Sequence, residues 1–337
     1  MSSVPTDPEH DQRPDEGEPD DDASETRSLD VGLPQHGERL DKLLTAIAPE
    51  FSRAHLQGLI ADGRVRVEGK VSSSASARMK AGWRVQVELV RPAQEQAFKP
   101  EDIPLAILYE DEHVMVLDKP AGLVVHPAAG NWSGTLLNGI LHRDPAAAAL
   151  PRAGIVHRLD KDTSGLMVVG RTLEGVTGLM RDIASRVVSR KYLALVHGRL
   201  KTEQEAIEAP IGRDPKVRVR MAVVNSGKWA RTEIDQVAYA EGIAAVRCTL
   251  HTGRTHQIRV HMAFRGHPLV SDELYGGRPA LGMTRQALHA AHLAFKHPVT
   301  GQALRFDATP PDDFRHAWAH IVGDDLLEDF SDDDVPG

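Results

Sequence analysis

The sequence predicts an α+β protein with a mixed, largely antiparallel sheet, and three observations carry that prediction. From residue 101 onward, short alternating strands mix with amphipathic helices. Ahead of them, residues 37–91 read as a compact unit of two helices and a hairpin. Apolar residues make up 41% and charged residues 26% of the 337, ordinary proportions for a globular chain with one main domain and one small module.

The ends differ from the body. Residues 1–36 hold eleven Asp and Glu against two Lys and Arg, and 322–337 hold seven Asp and Glu with no Lys or Arg. Both are predicted to be disordered acidic tails, because they cannot bury enough apolar surface to offset ordering entropy. The chain is −8 overall, so residues 37–321 carry +8, a basic body suited to a polyanion partner. No run approaches ~18 apolar residues, so no membrane span is expected. The acidic N-terminus has no basic-then-apolar signal pattern, which predicts a cytoplasmic protein. Cys248, the single cysteine, excludes an internal disulfide. It lies in "AAVRCTL", which reads as a buried strand and makes it a structural thiol rather than a nucleophile.

In chain order, "ERLDKLLTAI" places Leu40, Leu43, Leu44 and Ile47 at helical spacing. Ser52 is an N-cap for "RAHLQGLIAD", with Gly63 as the stop. "RVRVEGKV" alternates around a turn at Glu68-Gly69-Lys70, and "RVQVEL" is a further strand. Arg64 and Arg66 fall on outward positions, with Arg39, Lys42, Arg53 and Lys70 near in sequence; ten Lys and Arg face six Asp and Glu over 37–91. A polar linker follows at 92–98, then the main domain over 99–321. There "RTLEGVTGLMRDIASR" is an amphipathic helix, while "RKYLALVHG" and "EIDQVAYA" are strands. Thr255 as N-cap and Gly266 as stop predict a helix over "HQIRVHMAFR", with Arg259 near its start.

The chemistry concentrates in "HRLDKDTSGL", residues 157–166, five charged or titratable groups beside apolar runs. Charges so placed are costly unless paired or used. A protein kinase loop is excluded by the intervening Leu159 and by the lack of Asp-Phe-Gly and a Gly-rich phosphate loop. A zinc site on His251, His256 and His261, with His289, His292 and His297 following, is disfavoured by Arg-rich flanks, the lack of His-Glu-x-x-His and the lack of a second cysteine. Asp160 with Asp162 as a glycoside or nucleoside hydrolase pair remains a rival, in which Asp162 otherwise reads as a loop carboxylate.

Residues 37–91 resemble the RNA-binding module named after ribosomal protein S-four, the alpha-L motif, through the Arg-Leu-Asp-Lys opening, the Ser52-Arg53 helix start and the "GRVRVEGKV" hairpin. The main domain resembles the RluA-type pseudouridine synthases. "DKPAGLVVHP" (118–127), "GIVHRLDKDTSGLMVVG" (154–170), "RKYLALVHG" (190–198), "TGRTHQIRVHMAFRGHPLVSD" (252–272) and "LHAAHLAFKHPVTG" (288–301) lie in family order. With the alpha-L module in front, the layout is nearest to the ribosomal large-subunit branch of D type, with the sister C type as the alternative.

The resemblance implies isomerisation of uridine to pseudouridine in RNA. It assigns Asp160 as the catalytic aspartate, Arg259 as its basic partner and Tyr192 as the ring that stacks on uracil. Arg158 takes the position that enters the RNA stack when a nucleotide is flipped out, and Leu288 the position that packs against the base. Arg53, Arg64, Arg66, Lys70 and Arg254 are expected to bind RNA. Whether Asp160 forms a covalent adduct or removes a sugar proton is left open. Either way, a carboxylate suits the positive charge that builds on ribose as a glycosidic bond breaks. The expected substrate is 23S rRNA, naked or in an assembling large subunit, at uridines of the helix-69 stem-loop. No cofactor, metal, membrane or protein partner is expected, and the chain is read as a monomer. A non-catalytic rRNA-binding or ribosome-assembly factor is the alternative of another class.

Overall fold

The computed structural model describes residues 25–89, 97–128, 131–217 and 219–323. The predicted disorder of 1–24 and 324–337, and the linker up to residue 96, lie outside the described residues. The chain divides into two compact units, Met1–Ala93 and Gln94–Gly337.

The first unit holds β1 (Glu25–Asp30), α1 (Leu40–Ile47), α2 (Arg53–Ala61), β2 (Val65–Val67), β3 (Lys70–Val71) and β4 (Arg84–Leu89). The strands form an antiparallel sheet in the order β1-β4-β2-β3. Leu40, Leu43 and Leu44 meet Leu56, Leu59 and Ile60 and the inward valines of β2 and β4 in one core. Ser52 caps α2, its hydroxyl accepting from the His55 amide. Glu68 and Gly69 both take left-handed φ, so β2 and β3 close through a two-residue turn that matches strand twist.

Residues 25–36 correct the predicted disorder of 1–36. β1 pairs with β4 from Glu25↔Leu89 to Asp30↔Arg84, and a 3-10 turn follows at Leu33–Gln35. The composition is acidic, but main-chain hydrogen bonds to β4 do not depend on side-chain polarity. Only Leu29 and Val31 join the core, and the charged side chains stay outside or half-buried.

The second unit is built on a nine-stranded sheet. Its strands are β5 (Ala106–Glu110), β6 (Val114–Lys119), β7 (Ser164–Gly170), β8 (Ser189–His197), β9 (Gln204–Glu208), β12 (Arg231–Ala240), β13 (Ile243–Leu250), β14 (Leu288–Lys296) and β15 (Ala303–Asp307). β10 (Ile211–Arg213) and β11 (Met221–Val223) form a separate two-stranded ribbon. The order is β5-β6-β7-β14-β8-β13-β12-β9, with β15 on β14, and among the described strands only β7–β14 is parallel. The helices are α3 (Leu136–Arg143), α4 (Leu173–Ala184), α5 (Gln257–Phe264) and α6 (Asp312–Val322). This is the α+β architecture with a largely antiparallel sheet that the sequence predicts.

Strand periodicity sends alternate residues to opposite faces. On β8, Tyr192, Ala194 and Val196 pack with α3 and α5, while Leu193 and Leu195 pack with Phe314 and Trp318 of α6. Cys248 of β13 is fully buried on the first of these faces. Where β7 meets β14, a side chain at Gly165 would bring its Cβ within 2.2 Å of the Ala290 carbonyl oxygen. Only glycine allows the parallel pair to close there, immediately after the Asp160 loop.

Candidate active site

Asp160 sits in the loop ahead of β7, and that loop is pinned from below. Lys119, at the end of β6, is fully buried, and its ammonium donates to the carbonyls of Pro120, Leu123 and Lys161 at 2.7, 2.9 and 3.0 Å. The Gly122 amide adds a bond to the Lys161 carbonyl. The "DKPAG" and "HRLDKD" stretches are thereby stitched together next to Asp160. Burial pulls Lys119 down to about 8, with the charges of Asp162 and Asp160 opposing the shift. His157, in the same loop, is a structural acceptor. Its Nε2 takes the Val168 amide at 3.0 Å, and burial drives it down to about 3.

Arg259 approaches Asp160 from α5, ninety-nine residues away in sequence. Its Nη1 donates to Asp160 Oδ2 at 3.0 Å. Its Nε and Nη2 form a fork on Asp272 at 2.7 and 2.8 Å. Burial works against the Arg259 charge, but the bonds to Asp272 and the charge of Asp160 outweigh it and hold the guanidinium above its ordinary value. Tyr275 lies under the guanidinium, 5.0 Å from ring centre to Cζ, a cation–π contact. The Tyr275 hydroxyl pairs with His256 Nδ1 at 2.8 Å, and His256 Nε2 stands 3.8 Å from Asp160 Oδ1.

The entry to α5 differs from the predicted Thr255 cap. The helix begins at Gln257, and His256 occupies the cap position in a left-handed conformation with no side-chain cap bond. Anchoring falls instead to Gln257. Its Oε1 accepts from the Arg254 amide and the Thr252 hydroxyl, and its Nε2 donates to the Arg231 carbonyl and Thr232. This leaves the His256 ring free to reach Tyr275.

Asp160 opens into a cavity of about 590 Å³. Tyr192, Leu288, Arg158, Arg254 and Arg259 all line it, so the structure brings together six of the site residues read from the sequence. Arg152, Arg186 and Arg190 line it too. Asp160 is the only carboxylate among the described lining residues. Asp162 is absent from the lining; its backbone carbonyl accepts from Arg285. A paired-carboxylate hydrolase therefore finds no second acid here. Tyr192 is buried, and burial pushes its phenol up to about 12, so it stays neutral at ordinary pH. The histidines of the metal rival have separate partners: His251 meets Glu233, His256 meets Tyr275, His261 meets Thr232 and the Ala209 carbonyl, His289 meets Ser164 and the Ala308 carbonyl, His292 meets Asp307 and His297 meets Asp111. No group of three His, Cys, Asp or Glu able to hold a metal occurs among the described residues.

The remaining predicted RNA-binding residues belong to the first unit. Arg53 is held on Asp41 at 2.9 Å and Arg64 on Glu88 at 2.8 Å. Arg66 and Lys70 are exposed across the hairpin. Sequence reasoning missed Asp272, Tyr275, His256 and Arg190. Asp272 was legible only as the last letter of the 252–272 stretch, since nothing local marks it as Arg259's second partner.

Residues 113–264 match the family described as RNA pseudouridylate synthase, and residues 38–85 match the S4 domain. A ribosomal large subunit pseudouridine synthase D from Xanthomonas campestris pv. campestris is 48% identical over 301 residues, covering 86% of this chain and 90% of its own. The protein of that name from Pseudomonas aeruginosa is 46% identical over 301 residues, covering 86% and 93%. Among solved structures, human RNA pseudouridylate synthase domain containing 1 superposes with a TM-score of 0.51 at 25% identity, covering 65% of this chain and 89% of that one.

Proposed function

The chain belongs to the RNA pseudouridine synthase family, with an S4 domain ahead of the synthase domain, and from that premise we propose that it isomerises uridines of the 23S rRNA, in the helix-69 stem-loop, with Asp160 as the catalytic aspartate. The reaction class is isomerisation: the bond from uracil N1 to ribose C1′ breaks, the base turns, C5 bonds to C1′, and the proton lost from C5 is balanced by one taken up at the freed N1.

One observation carries the assignment of Asp160. Among the described residues it is the single negative group lining a cavity otherwise rich in guanidinium, and Arg259 holds one of its oxygens while the other accepts no hydrogen bond from them. A fixed carboxylate beside C1′ meets the positive charge that develops as the glycosidic bond breaks, without reorganising at that moment. Tyr192 and Leu288 form the apolar walls for the uracil ring. Arg158, exposed at the mouth, enters the gap left by the flipped nucleotide. Arg254, tied by Nε to the Trp229 carbonyl, meets backbone phosphate.

The names of the relatives support the large-subunit substrate, and the S4 domain supports a second grip on structured RNA. Loop uridines are inexpensive to splay out, which favours a stem-loop target. Among the described residues no helix is long and apolar enough to cross a membrane. We infer a monomer acting in the cytoplasm, where ribosomal RNA is assembled. The test is pseudouridine mapping of rRNA from cells with and without the gene. Loss confined to helix 69 is the expected result. Loss at other 23S uridines would give the C-type specificity instead, and an unchanged map would overturn the reading.

A further inference from the structure

Arg190 and Tyr192 are two residues apart on β8, so their side chains share the face that lines the cavity. Arg190 is 5% exposed, and its Nε has no hydrogen-bond partner among the described residues. Burial pulls the guanidinium below its ordinary value, and no carboxylate is among the causes that act on it. A buried charge without a counter-charge is destabilising. Its cavity neighbours do not relieve this. Arg152, Arg158, Arg186 and Arg254 are cations, and Asp160 is engaged with Arg259.

Gly253 lies over this side chain. A Cβ at position 253 would stand 3.0 Å from Arg190 Nη1, with no other group so close. Gly253 is exposed and its φ is not in the left-handed region, so backbone conformation does not call for glycine there. Its missing side chain leaves room beside Nη1.

We propose that Arg190 is the deep phosphate-binding residue of the cavity, taking a non-bridging oxygen of a phosphodiester that flanks the flipped uridine, with Gly253 as the gap through which that phosphate reaches it. Phosphate fits better than a uracil carbonyl because it supplies the negative charge the guanidinium lacks, in a geometry that a planar fork accepts. This rests on the cavity being the uridine site.

The test is a double-mutant cycle on binding, which needs no turnover. The full chain is titrated with a synthetic RNA hairpin carrying one loop uridine. Two further hairpins each carry a neutral methylphosphonate, on the 5′ or the 3′ side of that uridine. For the wild type, one of the two should bind about tenfold more weakly than the unmodified hairpin. For Arg190→Gln that same loss should shrink below about twofold, and Arg190→Lys should fall between. Gly253→Ala, which crowds Nη1 from an exposed position, should also shrink the loss while leaving the melting temperature in place. It carries the cycle alone if Arg190→Gln does not fold. Equal losses in wild type and both variants, or no loss in the wild type at either position, would overturn the proposal. Failure of the rRNA reading would appear separately, as an unchanged pseudouridine map.

Discussion

Asp41 in the first unit and Asp160 in the second are both carboxylates clamped by arginine, and they differ in what is left uncommitted. Asp41 has a fully buried side chain. Its Oδ1 takes Arg39 Nε, and its Oδ2 takes Arg39, Arg53 and Gln57. The Arg39 bonds above all, with those of Gln57 and Arg53, hold it well below the usual carboxylate range against its own burial. Arg53 and Gln57 on Oδ2 tie α1 to α2, and Arg39, at the cap of α1, occupies Oδ1, so Asp41 is a fold clip. Asp160 gives Oδ2 to Arg259, while among the described residues Oδ1 has only His256 at 3.8 Å, and its side chain keeps 15% of its exposure. The function of neutralising Arg259 falls to Asp272, 1% exposed and doubly bonded. A carboxylate available for chemistry is one whose counter-ion is already satisfied elsewhere.

The largest effect that tests this contrast comes from Asp160→Asn. Pseudouridine formation should fall below detection, a loss of at least ~10³-fold for a charge aimed at the transition state. RNA affinity should persist, because phosphate contacts supply it. Asp162→Asn should retain substantial activity. Comparable loss at both positions, read by pseudouridine yield on rRNA, would erase the distinction between a cavity carboxylate and its neighbour.

Arg259→Ala comes next. It should abolish activity and also destabilise the second unit by ~3–5 kcal/mol, because Asp272 is left buried without its partner. Asp160→Asn should not destabilise the fold to that extent. Denaturant midpoints of the two variants, compared side by side, decide this. Asp41→Asn is the mirror experiment. It should weaken the first unit by ~1–2 kcal/mol, since Arg39 and Arg53 are partly solvated, and leave the chemistry at Asp160 intact. Hydrogen exchange resolved by segment would show faster opening over 25–89 only.

Acid should separate the two units. In the second unit, burial holds His157 down at about 3 and His289 at about 4, against an ordinary value of 6.5. The unfolded chain therefore takes up protons first as pH falls. The stability these neutral rings contribute is full above 6.5 and is lost as pH falls from 6.5 toward about 4 for His289 and about 3 for His157, by ~2 kcal/mol per histidine at pH 5. In the first unit the sensitive group, Asp41, stays charged to lower pH. Exchange at pH 7 and pH 5 should show the second unit loosening first, and His157→Gln should flatten its response. Uniform loosening would count against it.

The smallest effect concerns the exposed hairpin. Arg66→Ala with Lys70→Ala should weaken rRNA binding a few-fold and lower the salt slope by ~1 for each phosphate no longer neutralised. Arg64→Ala should do less, since Arg64 is paired with Glu88. An unchanged slope in the double variant would remove the hairpin from the RNA surface.

The sequence by itself determined the features that are made within a few residues of chain. The Ser52 cap, the Glu68-Gly69 turn, the helices over Leu40–Ile47 and Leu173–Ala184, and the stretch that carries Asp160 are of this kind. Their hydrogen bonds and periodicities close locally, so residue type and spacing suffice to specify them. Where composition stood in for pairing, it failed: residues 25–30 are acidic and still form β1, because β4 supplies main-chain partners from fifty-four or more residues away. The cap of α5 failed similarly, because Gln257 finds Arg231 and Thr232 on a distant strand. Only the tertiary structure decided which aspartate is clip, counter-ion or cavity acid. Asp41, Asp272 and Asp160 are the same side chain, and what distinguishes them is how many donors converge on each and how much water remains. Both quantities are set by segments far apart in the chain, through desolvation and long-range pairing that no local pattern encodes.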